Sequence, residues 1–183
     1  VTEYLVAMSQ KDSDYLEHHK EPEVERAPVT APEVVHTLPN RDRRFGDGRA
    51  EVLGIQILDA RGRPIGALEP DTSIIVRVSV RAKANLPLPI VGFMMRNHLG
   101  MDFAGTNTAR EGYQIPGMRQ DDVHTVDFHL DLPTLYASTF SFSPAIADGT
   151  LDGYAICDWV DHAVALPMMR TEAPIYGHIH LRC

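Results

Sequence analysis

The stretch Ser73-Ile-Ile-Val-Arg-Val-Ser-Val-Arg-Ala-Lys83 alternates along its length, with Ile74, Val76, Val78, Val80 and Ala82 on one parity. Ser73, Ile75, Arg77, Ser79, Arg81 and Lys83 take the other. Successive side chains of an extended chain point to opposite faces, so this period of two makes one apolar and one mostly wet face. That is a sheet strand with one side on a core. Shorter versions of the pattern occur at residues 51–58 (Leu53, Ile55, Ile57), 126–130 (Val126, Phe128, Leu130), 139–143 (Phe140, Phe142) and 176–182 (Ile179, Leu181). Turn-forming sequences separate them: Asp59-Ala-Arg-Gly-Arg-Pro, Asn85-Leu-Pro-Leu-Pro, Asn97-His-Leu-Gly and Ala147-Asp-Gly-Thr.

One hairpin can be given a register. A three-residue loop, His98-Leu99-Gly100, with glycine in the left-handed position pairs Asn97 with Met101, Met95 with Phe103 and Phe93 with Gly105. Phe93, Met95 and Phe103 then share the inner face, Asn97 turns inward, and Arg96 stands opposite Asp102 on the outer face. A one-residue slip would bury Arg96. Many short strands with closely spaced turns predict an all-β fold, an antiparallel β-sandwich of immunoglobulin-like or jelly-roll type.

Two segments precede it. Residues 1–20 read as a short helix, with Tyr4, Leu5, Met8, Tyr15 and Leu16 near one stripe. From 21 to 40 the chain carries Pro22, Pro28, Pro32 and Pro39 among acidic residues, which favours an extended linker. The expected division is therefore 1–43 for helix and linker and 44–183 for the sandwich. The chain opens on Val1 instead of Met, as a piece of a longer protein would.

Across 183 residues, 44% are hydrophobic and 23% charged, which suits a soluble domain able to bury a core without staples. The net charge of −8 offers phosphates no broad attraction, so nucleic acid and anionic membrane surfaces are poor partners. No run approaches the ~18 apolar residues of a membrane span. Cys157 and Cys183 are too few for a disulfide framework, and a reducing, cytoplasmic compartment fits.

The chemistry-bearing motifs are sparse. The chain has no GxxxxGK[ST] and no strand-anchored GxGxxG; Gly46-Asp-Gly48 imitates the latter but lacks a following helix pattern. His178 and His180 would point to one face of a strand, but His124, His129 and Asp127 show no metal-ligand spacing toward them, so a solvated strand face is the reading kept. Ser141 and Ser143 lack a nucleophile elbow. The carboxylate pairs Asp121-Asp122, Asp127 with Asp131 and Asp158 with Asp161 read as solvated or turn residues. No catalysis and no cofactor are expected.

A recognition surface remains. Trp159 and Tyr154 suit stacking on the apolar face of a pyranose, and Arg96, Thr106, Asn107 and Asp158 suit hydrogen bonding to hydroxyls. Two blander readings stand beside this: Trp159 as a core residue, two positions from Cys157 and Ala155, and Asn107 as a turn-closing residue. By residues alone the class is a non-catalytic binding module.

Residues 44–182 also resemble a family. Phe45-Gly-Asp-Gly-Arg-Ala-Glu-Val, then Gln56-Ile-Leu-Asp-Ala-Arg-Gly-Arg-Pro, Val91-Gly-Phe-Met-Met-Arg-Asn-His-Leu-Gly, Phe103-Ala-Gly-Thr-Asn-Thr and Cys157-Asp-Trp-Val-Asp-His-Ala follow in matching order. The segment is similar to the C-terminal domain of Wzt, the ATP-binding subunit of bacterial ABC transporters that export O-antigen polysaccharide. The resemblance implies a cytoplasmic β-sandwich that binds lipid-linked O-antigen, by its repeat unit or modified non-reducing end, beside the exporter's transmembrane subunit. The ATPase motifs would lie in a preceding domain. It further implies a homodimer, with residues 176–181 as the candidate for strand exchange, since withdrawing Ile179 and Leu181 would bare a sheet edge. A dimerisation or docking module that binds no glycan is the alternative. Shared motifs carry Arg96, Asn97, Thr106, Asn107, Asp158 and Trp159. Tyr113 and Arg119, in the loop Gly112-Tyr-Gln-Ile-Pro-Gly-Met-Arg, join the candidates on exposure and chemistry.

Overall fold

The computed structural model describes residues 32–170, 175 and 177–179. The helix expected over 1–20 and most of the expected linker lie outside the described residues. Within them the chain is all-β and antiparallel, with nine strands in two sheets. The smaller sheet has the order β2-β3-β6: β2 (Ala50–Asp59), β3 (Ser73–Ala82) and β6 (Val123–Asp131). The larger has the order β1-β8-β7-β4-β5: β1 (Arg43–Phe45), β8 (Gly153–Asp161), β7 (Thr139–Thr150), β4 (Pro89–Arg96) and β5 (Asp102–Asn107). A short β9 (Val164–Pro167) continues along the edge of β7 that β8 has left.

The decisive stretch is the middle strand of the smaller sheet. Val76, Val78, Val80 and Ala82 are fully buried, and Ile74 nearly so. Facing them across the sandwich, Phe93 meets Phe128 edge to face at 5.3 Å between ring centroids, and Phe142 at 6.1 Å. Phe140 and Phe142 are wholly buried, and truncating either to alanine removes about 3–5 kcal/mol.

The outer face of β3 is paired strand by strand. Arg77 forms a bidentate pair with Asp127 of β6, both contacts at 2.7 Å. Glu51 of β2 takes Arg81 and, at 2.8 Å, Lys83. Residues 32–38 lie over part of this face, where Val35 is buried and its N–H donates to Ser79 Oγ at 2.8 Å. Gly54 admits them, because a Cβ there would meet the Val35 carbonyl oxygen at 2.5 Å.

Two β-bulges displace side chains from the sequence expectation. In β2 the register shifts between Val52 and Gly54, so Leu53 is the extra residue; Val52 enters the core in its place and Leu53 is half-buried. In the registered hairpin the tip is as expected, with Asn97 N–H donating to the Met101 carbonyl at 3.1 Å, Gly100 at φ 77° and Arg96 opposite Asp102. Beyond it the pairing is Met95 with Ala104 and Phe93 with Thr106, because Phe103 is an extra residue between Asp102 and Ala104. Phe103 still packs inward, on Phe140 at 5.4 Å. The turn expected at Ala147-Asp-Gly-Thr sits later, at Leu151-Asp152, since β7 runs on to Thr150. Of the expected last strand, Ile179 makes one isolated bridge to Leu135 and is 41% exposed; its neighbours 180–183 lie outside the described residues.

Candidate functional site

The outer face of the larger sheet has a different composition from that of the smaller. Cross-strand partners share a face, so the register defines a row across five strands: Asn107, Gly92, Ala145, Trp159 and Phe45. The row below is Ile90, Ala147 and Ile156. In the first row glycine and alanine thus occupy the central strands β4 and β7 between larger side chains on the flanking ones, and in the second Ala147 lies between Ile90 and Ile156. The result is a cleft of about 190 Å³ with a low floor of Gly92, Ala145 and Ala147. Gly92 is required by close approach, since a Cβ there would lie 2.6 Å from the Thr106 carbonyl oxygen.

A third bulge builds the wall on β8. The β7–β8 register shifts between Ile146 and Ala147, which makes Cys157 the extra residue. Without it Trp159 and Ile156 would face opposite ways; with it Tyr154, Ile156 and Trp159 all line the cleft. The bulge is secured by the segment that the sequence offered as a phosphate-loop imitation. Asp47 and Gly48 N–H groups donate to the carbonyls of Ile156 and Cys157, each at 3.0 Å. Gly46, at φ 148°, leaves room, because a Cβ there would fall 2.3 Å from the Cys157 oxygen. The Cys157 thiol is buried, which pushes its pKa up to about 11 and leaves it unreactive.

Trp159 is half-buried on the outer face and does not belong to the core. Its indole stacks on Phe45 with 5.9 Å between centroids and 19° between planes. The Arg96 guanidinium carbon lies 5.9 Å from its ring centroid, and its Nε1–H donates to Asp161 at 3.3 Å. Arg96 is held in turn by Asp102 at 2.5 Å and by Asp161. Asp161 also accepts from Ser143 Oγ, at 3.3 Å. Burial opposes ionisation of Asp161, but the Trp159 hydrogen bond and the Arg96 charge outweigh it and keep its pKa below the ordinary carboxylate value.

The opposite wall comes from β5 and the turn after it. Asn107 Oδ1 accepts the Arg110 N–H at 2.8 Å, so it does close a turn; its Nδ2 has no hydrogen-bond partner among the described residues. Thr106 and Arg110 line the cleft beside it, the Thr106 hydroxyl donating to Glu111. A second cavity of about 320 Å³ adjoins the first through Ile90 and Leu151, and Tyr113 lines it.

Of the residues singled out in the sequence, Thr106, Asn107, Tyr154 and Trp159 meet in one cleft, Tyr113 lines its extension and Arg96 braces Trp159. Two stand elsewhere. Asp158 is 5% exposed and turned between the sheets, where it binds Arg44 through Nε at 2.8 Å and Nη2 at 2.5 Å and accepts the Val52 N–H at 2.6 Å. Arg119 lies in an exposed loop and lines neither cavity. Missed in the sequence were Phe45, Arg110, Leu151 and the small-residue floor. The alternation of Ala145 and Ala147 was visible, but its meaning depended on the strands beside it.

No curated protein sequence matches the chain. A solved structure, the crystal structure of the C-terminal domain of Wzt, superposes with a TM-score of 0.72 at 19% identity, covering 80% of this chain and 89% of that one. At that identity the likeness establishes the fold. The family model of the Wzt C-terminal domain matches residues 41–181, which span both sheets and every residue of the cleft. The chain therefore belongs to the Wzt C-terminal domain family, which is associated with O-antigen ABC transporters.

Proposed function

We propose that this domain binds the O-antigen polysaccharide non-catalytically, at the cytoplasmic side of the inner membrane, and so supplies cargo recognition to an ABC exporter. One observation carries the reading: an aromatic wall (Trp159, Tyr154) faces a hydrogen-bonding wall (Asn107, Arg110) across a floor of glycine and alanine. A pyranose has the same two-sided character, with an apolar C–H face and a rim of hydroxyls. The binding residues are Trp159, Tyr154, Thr106 and Asn107, with Tyr113 in the adjoining cavity and Arg96 behind Trp159. Each hydrogen bond replaces one to water, so its net gain is only about 0.5–1.5 kcal/mol and affinity for a short oligosaccharide is modest. Two domains in a homodimer raise the effective affinity without new contacts. Exchange of the terminal strand suits that dimer, since Ile179 is joined to Leu135 by one bridge and is 41% exposed.

The test is saturation-transfer NMR from the purified domain to the O-polysaccharide of the encoding organism, with an unrelated glycan as control. Selective transfer to the cognate glycan, lost in Trp159→Ala, is the expected result. Transfer to neither glycan would leave dimerisation and docking as the function.

A further inference from the structure

We infer that the cleft is specific for a 6-deoxyhexose residue, its C6 methyl seated at the end formed by Ile90, Leu151 and Ile156; this rests on the polysaccharide reading above. The two walls differ in what they offer. On the β5 side, Asn107 Nδ2 and the Arg110 side chain have no hydrogen-bond or ion-pair partner among the described residues, and both are donors. They suit ring hydroxyls. On the β8 side and at the β7–β8 turn, the aliphatic lining beside Tyr154 and Trp159 is Ile156 and Leu151, with Ile90 and Ala147 beneath.

The remaining polar atoms there are committed or wet. Trp159 Nε1 donates to Asp161, and Tyr154 is 56% exposed. Backbone groups of β4 and β7 along this stretch pair with one another in the ladder. A C6 hydroxyl set among Ile90, Leu151 and Ile156 would exchange water for aliphatic surface, with the solvent-facing Tyr154 hydroxyl as the side-chain polar group at that wall, whereas a methyl group gains contact with three aliphatic side chains. The discrimination is the kind an aliphatic-lined subsite makes between groups of nearly equal size, here one open to solvent at Leu151, which is 53% exposed.

Matched sugars that differ only at C6 test this. Methyl glycosides of L-rhamnose and L-mannose, and of L-fucose and L-galactose, are titrated into the intact chain by saturation transfer, together with a D-rhamnan and a D-mannan of the same linkage. The expected result is at least a tenfold preference for the deoxy member of one pair, or for the rhamnan over the mannan, with the strongest saturation on the C6 methyl protons. Ile156→Asn, a change at a half-buried outer-face position, should bring that preference below threefold while the chain still folds. Equal or better binding of the C6-hydroxyl sugars would overturn the inference and leave polysaccharide binding standing. Silence from every glycan, the native O-polysaccharide included, would overturn both.

Discussion

The two outer faces of this sandwich differ in how completely they are partnered. On the smaller sheet, Arg77 with Asp127, and Glu51 with Arg81 and Lys83, pair across strands, and residues 32–38 lie over Ser79 and Gly54. On the larger sheet the central strands carry Gly92, Ala145 and Ala147 between Trp159 and Asn107. The first face is complete as folded. The second has no charge pair at its floor among the described residues, and there the Asn107 amide nitrogen and the Arg110 guanidinium are without partners. What distinguishes them is residue size on the middle strands more than hydrophobicity.

Substitutions can break or sharpen that contrast. The largest effect is expected between the faces, at Asp158. Its replacement by alanine strands the Arg44 guanidinium and the Val52 N–H and should cost about 3–5 kcal/mol, read as a fall in the urea midpoint. Next comes the floor. Ala145→Leu places a larger side chain in the cleft and should weaken glycan binding more than tenfold while stability changes by less than ~1 kcal/mol, since the position faces outward. If Ala145→Leu bound normally, the cleft would not be the site. Trp159→Ala should lose about tenfold in affinity and, through Phe45 and Arg96, about 1 kcal/mol of stability.

Smaller still is the acid response of the bracing network. Asp161 has a folded-state pKa below its unfolded value of about 3.9, so its stabilisation is complete above that value and is lost as pH falls through the folded one. Denaturation curves should thus weaken below about pH 4, and Asp161→Asn should flatten that part of the profile. The least effect is expected on the smaller sheet. Arg77→Met should cost about 1 kcal/mol or less and leave glycan titrations unchanged. A loss of binding there would erase the distinction between the faces.

How much of this was legible depended on where the bulges fell. β3 has none, and its alternation alone gave strand, inner face and core residues, although Ile75 and Ser79 on the face expected to be wet are buried as well. Phe128, Phe140 and Phe142 followed from the same rule. The hairpin was readable at its tip, where Asn97 and Gly100 dictate the turn, and misread beyond Arg96, because a two-against-one count in β5 has no sequence signature. The same limit applied to the site. Trp159 and Asp158 are adjacent, so they had to face opposite ways, but which faced out depended on Cys157 being an extra residue. Exposure, the property that singles out Arg119 in the sequence, is shared by most loop residues and specific to none. The floor was invisible as a site because small residues become a depression only when neighbouring strands are tall.

The cleft's depth and its chemistry are lodged in parts of the chain with unequal freedom to vary. Depth comes from β4 and β7, whose other faces carry Phe93, Phe142 and Ile146 in the core. The walls come from an edge strand, a turn and a bulge held by the loop at 46–48. New ligand preferences can therefore be acquired by exchanging wall residues one at a time, at little risk to folding. Loss of the bulge with Cys157 kept in a regular ladder would be a different kind of event, setting Ile156 and Trp159 on opposite faces in one step.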